Sequence, residues 1–433
     1  MVEEFKNLLS DGKIGSLDIR NRIVMPPMVS LLSGVSGEVT DRLIDYYAER
    51  AKGGTGLIIV EATGIDYPES RGFATELMID NDRYVPRLSE LTKSVHNHGA
   101  KIFVQLHHAG RETTPRETEG KQPVCASEVE DRFLGITPRK LETEEVEDLV
   151  DKFVQGAVRA EQARFDGVEL HGGHGYLIGQ FISSRTNKRD DKYGGDIKDR
   201  LTFPKEIISG IRDELGEDYP IDFRLSADEF VEEGHGIEES KKVAKELEKA
   251  GVDVLHITAG IYESLQTTVE PMRYEEGWRT HLAEQIKEVV DIPVITVGVI
   301  REPEMADQLI EDGVADFVAI GRGQIADPFF AKKAAEGRTE DINKCISCNT
   351  GCIGEMFNNK AISCTVNPEV GREKEFNELG KAENRKDVLV IGGGPGGMEA
   401  AKYAAERGHN VSLYEKDEEL GGQMKIGRAS CRE

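Results

Sequence analysis

No stretch of the sequence approaches the run of about 20 apolar residues that a membrane-spanning helix requires. The N-terminal segment is charged and has no apolar signal-peptide core. Basic residues are few beside acidic ones, 55 against 80, so the formal net charge is −25. This charge would repel nucleic acids and anionic membranes. We therefore expect a cytoplasmic protein with no nucleic-acid or membrane partner, and homo-oligomer formation stays open.

Cysteine is also scarce, and six cysteines in a cytoplasmic chain do not predict disulfides. Cys125 and Cys431 stand alone. The other four follow the spacing C-x2-C-x3-C-x11-C, and they are Cys345, Cys348, Cys352 and Cys364. Thiolates are soft ligands for iron–sulfur clusters or zinc. Structural zinc more often takes two paired C-x2-C motifs. The spacing therefore favours a [4Fe–4S] cluster, with zinc as the alternative.

Short apolar runs alternate with amphipathic segments over most of the chain. The runs predict strands at Ile23–Met25, Leu57–Glu61, Lys101–Leu106, Gly167–His171, Asp222–Ser226, Val254–Thr258, Val294–Gly298 and Phe317–Ile320. The segments between them predict helices at Asp41–Lys52, Tyr84–His98, Glu144–Ala163, Arg200–Glu214, Glu238–Ala250, His281–Val290 and Glu304–Asp312. Such alternation indicates parallel βα units. The predicted fold class is α/β with a (β/α)8 TIM barrel, and an open doubly wound sheet is the alternative.

Polar residues and glycines stand where the predicted strands end. Gln105 ends the third strand, His171 ends the fourth, and Arg224 lies late in the fifth. Gly298 and Gly321 come at the ends of the seventh and eighth. Active sites of such barrels lie at the C-terminal ends of the strands. We therefore predict that these residues surround one site.

The sequence VLVIGGGPGGMEAA places Gly392, Gly394 and Gly397 in G-x-G-x-x-G spacing between a strand and a helix. Glycines there permit a tight turn and the close approach of a pyrophosphate to the helix N-terminus. A second strand, Asn410–Tyr414, leads to Glu415, where an acid can bind ribose hydroxyls. The segment predicts the start of a Rossmann-like domain for FAD or NAD(P).

His171, His174 and Tyr176 share the loop HGGHGY after the fourth predicted strand. Two histidines three apart can be metal ligands, although no third ligand is evident nearby. They can also donate to an electron-rich group of a substrate, or be purely structural. A phenol can supply a proton in a pocket poor in water. The loop is therefore a candidate catalytic segment.

The segments NRIVMPPM, VEAT, QLHHAGR, HGGHGYLIGQF, SRTNKRDDKYGG, VGVI and AIGRGQIADP resemble, in this order, the Old Yellow Enzyme family of FMN barrels. The cysteine spacing, with Asn349 after the second cysteine, is similar to that of the iron–sulfur subgroup. This subgroup includes 2,4-dienoyl-CoA reductase, 2-enoate reductase, bile-acid enone reductases and trimethylamine dehydrogenase. The resemblance extends to about Gln423.

The resemblance implies which residues contact the flavin ring of FMN. Pro26, Pro27 and Met28 would line its edge. Ala62 and Gln105 would contact the isoalloxazine, with Gln105 on the pyrimidine side.

The resemblance also implies contacts to the charged parts of FMN. Arg224 would place positive charge near flavin N1 and stabilise the anionic reduced form. Gly298, Gly321 and Arg322 would hold the phosphate through backbone N–H groups and a guanidinium.

The implied activity is that of an NAD(P)H-dependent ene-reductase. Electrons would pass from NAD(P)H through FAD, [4Fe–4S] and FMN to the activated C=C bond of an enone, enoate or enoyl-CoA. His171 and His174 would orient the carbonyl or carboxyl group, and Tyr176 would protonate the α-carbon. The alternatives are an amine dehydrogenase of the trimethylamine dehydrogenase type and a non-catalytic flavin or electron-transfer module.

Two departures from the subgroup narrow this expectation. Trimethylamine dehydrogenase binds FMN covalently through a cysteine shortly after the first strand, where this chain has Val29, Ser30 and Leu31. Dienoyl-CoA reductase has a second catalytic histidine after the sixth strand, where this chain has Tyr262 and Glu263 but no histidine. Both differences favour a simpler enone or enoate reductase.

The resemblance divides the chain into five segments. They are an FMN-binding barrel at 1–340, a [4Fe–4S] segment at 341–368, a linker at 369–386, a truncated FAD/NAD(P)-binding domain at 387–425 and a non-native tail at 426–433. Subgroup members continue for roughly 200 more residues, the size of two such domains. We therefore expect that the chain lacks the rest of its FAD and NAD(P)H domains.

Overall fold

A computed structural model describes residues 5–426, so Cys431 and the predicted tail from residue 427 onward lie outside the described residues. The chain divides into two compact units, with the boundary between Gly371 and Arg372. In the first unit, parallel strands close into a barrel, because its first strand pairs with both the second and the eighth. This closure confirms the predicted TIM barrel.

We number barrel strands 1 to 8 in chain order. They are Ile23–Met25, Leu57–Gly64, Lys101–His107, Gly167–Gly172, Ile221–Ser226, Val254–Thr258, Val294–Val297 and Phe317–Ala319. Shorter strands lie at Gly12–Ile14, Leu17–Ile19, Leu77–Met78, Val124–Cys125 and Arg139–Lys140. Barrel strand 2 extends three residues beyond its prediction, because it also pairs with Leu77–Met78.

Amphipathic helices cover the outside of the barrel. The main ones are Asp41–Lys52, Val85–His96, Thr143–Gln162, Thr202–Leu215, Ile237–Lys249, Thr280–Lys287 and Pro303–Glu311. Shorter helices are Leu177–Ile182, Ile197–Arg200, Leu265–Thr268, Arg322–Ala326, Phe330–Ala335 and Glu355–Phe357. The predicted helix His281–Val290 was too long at its C-terminus, since the helix ends at Lys287. None of the helices within residues 5–426 combines the length and the apolar composition needed to span a bilayer.

The interior of the barrel is layered. At the N-terminal ends of the strands, the hairpin Gly12–Ile19 inserts Ile14 and Ile19 into an apolar cluster with Phe103 and Phe317. This hairpin was not predicted from the sequence, because its strands are only three residues long. With the base closed by apolar side chains, the polar residues occupy the layers nearer the C-terminal ends.

The cysteine segment belongs to the first unit. A single turn of π-helix, Thr350–Gly354, carries Cys352. The segment is fixed to the barrel because the Ile362 N–H donates to the Ser30 carbonyl at 2.8 Å. Ile362 is buried in the main core. The four cysteines therefore lie on chain that packs against the barrel.

The second unit contains a βαβ arrangement. Strands Asp387–Ile391 and Asn410–Tyr414 are parallel, and helix Pro395–Glu406 connects them, as predicted. The predicted linker contains a short helix, Glu373–Glu378, and Gly422–Ile426 forms a 3-10 turn. Both strands leave large apolar side chains exposed, with Ile391 83% accessible.

Candidate active site

One cavity opens at the C-terminal ends of the barrel strands. The predicted site residues that line it are Pro26, Pro27, Met28, Ala62, Gln105, His171, His174, Tyr176, Arg224, Gly321, Arg322, Cys345 and Cys352. Gly298 adjoins the cavity between its lining residues Val297 and Val299. Residues that are widely separated in sequence therefore meet, as expected when parallel strands all end at the same face of a barrel.

The two histidines of the HGGHGY loop are buried and neutral. Burial lowers the pKa of His171 well below its ordinary value, and the neighbouring His174 and His107 lower it further. Burial also lowers the pKa of His174, with Arg224 as the next cause. The Gly173 N–H donates to His171 Nδ1 at 3.4 Å, so the ring proton of His171 lies on Nε2. His171 can therefore donate a hydrogen bond without carrying charge.

Tyr176 forms a hydrogen-bonded pair with Tyr262. Their hydroxyl oxygens are 3.0 Å apart, and both side chains line the cavity. Burial raises the pKa of Tyr176, whereas its hydrogen bond to Tyr262 lowers it. Burial also raises the pKa of Tyr262 well above its ordinary value. Both phenols are therefore protonated near neutral pH, and one can donate to the other.

His107 and Glu76 lie behind the tyrosine pair. The His107 ring packs edge-on against Tyr176, with 4.4 Å between ring centroids. Its Nε2 is 3.6 Å from Glu76 Oε1. Burial raises the pKa of Glu76 to about 8 and lowers that of His107 to about 3. Both groups are therefore neutral at pH 7, and no formal charge lies directly behind Tyr176.

Arg224 and Gln105 form a polar wall of the cavity. Arg224 is buried, and its Nε is without a hydrogen-bond partner among the described residues. Its guanidinium reaches toward the Pro27 carbonyl at 3.4 Å. An unpartnered buried donor is costly unless a ligand satisfies it. The wall therefore suits an electron-rich group such as a flavin pyrimidine.

Basic residues converge at another edge of the cavity. Glu270 accepts from Arg322 at 2.9 Å and pairs with Arg279 at 3.2 Å. Gly298 has a φ of +151°, and a Cβ there would approach Arg279 Cγ to 2.7 Å. Arg301 also lines the cavity and donates to Ser347 at 2.8 Å. This edge combines guanidinium groups with a close backbone approach, as a phosphate site does.

The cysteine segment borders the same edge. Arg322 donates to the Asn349 amide oxygen at 2.6 Å, which links the barrel to the cysteine loop. Ser347 and Asn349 have positive φ values of 50° and 57°, so the loop turns tightly between its cysteines. The thiols of Cys345, Cys348, Cys352 and Cys364 are free and half-buried. Cys348 and Cys364 are not among the cavity-lining residues.

The glycine-rich turn of the second unit has the predicted local form. Gly392 has a φ of +103°, and a Cβ at Gly397 would lie 1.9 Å from the Gly392 carbonyl oxygen. Glu415 accepts from the Gly393 N–H at 2.7 Å. The three glycines and the acid are therefore adjacent in this unit.

Sequence reasoning missed several residues of the cavity. Tyr262 and Arg279 line it but were assigned no role. Both lie in the long connection after barrel strand 6, in which the sequence indicated the absence of a second histidine but no role for an individual residue. Phe73 and Phe357 also line the cavity, and their rings are 6.2 Å apart. An aromatic or basic residue in a loop after a barrel strand is the signal that would have found Tyr262 and Arg279.

Two family models match the chain. Residues 9–341 match the NADH:flavin oxidoreductase / NADH oxidase family, and residues 387–429 match the FAD dependent oxidoreductase family. The first match covers the barrel, and the second covers the glycine-rich turn. The matches assign flavin chemistry to both units at the level of family.

Known relatives agree with this assignment. The chain is 59% identical over 430 residues to a protein named NADH oxidase from Thermoanaerobacter brockii, covering 99% of this chain and 66% of that protein. It is 40% identical over 448 residues to a cinnamate reductase of Clostridium sporogenes, covering 99% of this chain and 67% of that protein.

A solved structure of 2-naphthoyl-CoA reductase with 2-naphthoyl-CoA is also similar, at a TM-score of 0.93 and 34% identity, covering 98% of this chain and 66% of that one. The chain thus spans about two thirds of the length of these relatives. The resemblance predicted from the barrel motifs is confirmed, and the chain belongs to the NADH:flavin oxidoreductase / NADH oxidase family.

Proposed function

We propose that this protein reduces the activated C=C bond of an enone, enoate or enoyl-CoA, with Tyr176 as the proton donor. The observation that carries the proposal is the Tyr176–Tyr262 pair, with 3.0 Å between its oxygens, beside two neutral histidines in the cavity. Protonated phenols and neutral imidazole donors suit a substrate that gains negative charge and then needs a proton.

The residues present fit FMN. The unpartnered Nε of Arg224, the amide of Gln105 and the Gly298 backbone are complementary to the ring and phosphate of a flavin nucleotide. Pro26, Pro27, Met28 and Ala62, with Gly321 and Arg322, would complete the binding site. When bound there, FMN supplies a hydride.

The chain's own residues would orient the substrate and move the proton. His171 Nε2–H, together with His174, would donate to the carbonyl or carboxylate oxygen on which charge develops. The Tyr176 O–H would then give its proton to the α-carbon. The Tyr262 O–H would donate to the Tyr176 oxygen as that proton leaves. This donation stabilises the phenolate until solvent restores the proton.

The four cysteines would hold a [4Fe–4S] cluster. The C-x2-C-x3-C-x11-C spacing and the position of Cys345 and Cys352 at the cavity support the cluster over zinc. Such a cluster would pass electrons one at a time.

The glycine-rich turn of the second unit would take part of an FAD. Gly392, Gly394 and Gly397 would approach the pyrophosphate, and Glu415 would bind ribose hydroxyls. In the proposed layout, the barrel at 1–340 and the cluster segment at 341–368 form the reductase half. NAD(P)H would be the source of electrons for the whole protein, as the family match of the first unit supports.

The test uses FMN- and iron-loaded protein, reduced anaerobically with dithionite and mixed with cyclohex-2-enone or cinnamate. Reoxidation of the flavin by these compounds supports the proposal, and Y176F should slow it. The matched control is Y219F, because Tyr219 contacts the Phe165 carbonyl away from the cavity. Reduction of the oxidised protein by amines alone would indicate an amine dehydrogenase. Bound FMN without either reaction would indicate an electron-transfer module.

A further inference from the structure

Three ionisable residues lie inside the barrel without lining the cavity. Glu169 is on barrel strand 4, Asp222 is on strand 5 and His256 is on strand 6, and all three are fully buried. The strand register brings them together, because Glu169 pairs with Gln105 on one side and with Asp222 on the other. Arg224 is in register with His256. The group therefore lies directly behind the Gln105–Arg224 wall.

Glu169 is the centre of this group. Gln105 Nε2 donates to Glu169 Oε1 at 2.6 Å, and His256 Nδ1 lies 2.7 Å from Glu169 Oε2. A carboxylate is purely an acceptor, so it must face the amino end of the Gln105 amide. The Gln105 carbonyl oxygen is then the end that is left for the cavity. Glu169 thereby determines whether the wall presents an acceptor or a donor.

Asp222 has the opposite protonation state from Glu169. A carboxyl oxygen of Asp222 lies within 4.8 Å of ligand atoms of Glu169 and His256. Two buried carboxylates this close cannot both be charged. Burial raises the pKa of Asp222 well above its usual value, and the Glu169 charge raises it further. Asp222 therefore holds a proton that it can donate to Glu169.

The net charge of the wall follows from these assignments. Burial lowers the pKa of His256 and leaves it neutral. The negative charge of Glu169 then balances the positive charge of Arg224. Reduced flavin is more negative than oxidised flavin. A more positive wall therefore favours the reduced state, and a more negative wall favours the oxidised state.

We propose that Glu169, Asp222 and His256 are positioning residues that fix the Gln105 amide and the net charge behind the flavin site, and thereby set the reduction potential of the flavin. The inference rests on the proposed FMN site. A divalent cation bound here would need a ligand atom from each of the three residues. One oxygen of Glu169 already accepts from Gln105, and protonated Asp222 can donate to Glu169 without a metal ion.

The test measures the midpoint potential of the bound flavin by anaerobic dithionite titration of the FMN-loaded protein with a reference dye. E169Q removes the charge that balances Arg224, so we expect the preference for reduced over oxidised FMN to rise at least tenfold, about 30 mV for a two-electron couple. D222N keeps a neutral donor to Glu169, an amide N–H in place of the carboxyl O–H, so it should shift the potential far less than E169Q does. D253N removes a charge at the opposite end of the strands, beside Arg212, and should leave the potential unchanged.

A second pair of variants covers the case in which E169Q does not fold. H256L removes the donor to Glu169 and should raise the potential, whereas H256N retains a donor at a similar position and should restore the wild-type value.

Several results would overturn the inference. Three concern the potential: a wild-type value in folded E169Q, a shift in D222N as large as that in E169Q, or equal values in H256L and H256N. The fourth is one equivalent of a non-iron divalent metal bound to the wild-type protein and lost in D222N. Wild-type protein that binds no FMN would instead refute the proposed function.

Discussion

Replacement of Tyr262 by phenylalanine tests the tyrosine pair most closely. The change removes one hydroxyl, 3.0 Å from the Tyr176 oxygen, and keeps the ring that packs against Phe133 and Phe357. The hydrogen bond lowers the pKa of Tyr176, so Y262F makes Tyr176 a weaker acid. We therefore expect proton delivery to slow while FMN binding stays the same.

The magnitude follows from the charge on the acceptor. As Tyr176 loses its proton, its oxygen becomes negative, and a hydrogen bond to a charged group contributes about 1.5–3 kcal/mol. Since about 1.4 kcal/mol corresponds to a tenfold change in rate, Y262F should slow proton transfer about 10- to 150-fold. Y176F removes the donor itself and should slow the step about 10²- to 10⁴-fold.

The assay is anaerobic stopped-flow reoxidation of the reduced flavin by cyclohex-2-enone at several pH values. Because Tyr262 acts through Tyr176, Y176F/Y262F should be no slower than Y176F alone. Y219F provides the matched control for loss of a tyrosine hydroxyl. A wild-type rate in Y262F would refute the reasoning. So would a double variant that is slower than Y176F by the full Y262F factor, because the two phenols would then act independently.

Three further predictions concern the metal site, the cavity wall and the fold. C345S should lower bound iron and sulfide, whereas C125S, which replaces a buried thiol outside the cluster segment, should leave both unchanged by chemical analysis. G298A should weaken FMN binding in a fluorescence titration, because its Cβ would approach Arg279 Cγ to 2.7 Å; an unchanged Kd would argue against a flavin contact there. Burial alone would lower the pKa of His235, but the neighbouring Glu229 raises that pKa to about 9. The charged His235–Glu229 pair therefore stabilises the folded state fully below about pH 6.5, and this contribution to the free energy of unfolding is lost as the pH rises through about 9. The difference in Tm between wild type and H235Q should therefore be larger at pH 7 than at pH 10, and a larger difference at pH 10 would contradict the assignment.

The barrel could be predicted from sequence because its strands are buried on both sides. All five residues of Val254–Thr258 are buried, three of them are apolar, and the predicted bounds match the structure. Strand ends were less predictable, since the extension of barrel strand 2 to Gly64 depends on pairing with Leu77–Met78. A contact so distant in sequence leaves no local pattern.

The motif residues of the cavity could also be predicted, because strand ends and glycines mark them. Tyr262 could not be assigned, since its role depends on a hydroxyl contact with Tyr176, 86 residues away in sequence. Glu169 and His256 were hidden for a different reason: each lies within a strand between two apolar neighbours rather than at the strand end, and only the barrel register brings them together. Local propensity carries no information on such pairing.

The most direct test of the proposed reduction is product labelling in D2O. Reduced, FMN-loaded protein would be mixed anaerobically with cinnamate, and the product would be examined by NMR and mass spectrometry. The account predicts 3-phenylpropionate with one deuterium on the β-carbon, delivered from flavin reduced in D2O, and one on the α-carbon, because Tyr176 exchanges its proton with solvent; it also predicts a greatly diminished yield with Y176F. Unchanged cinnamate beside flavin that stays reduced, or equal yields from Y176F and wild type, would contradict it.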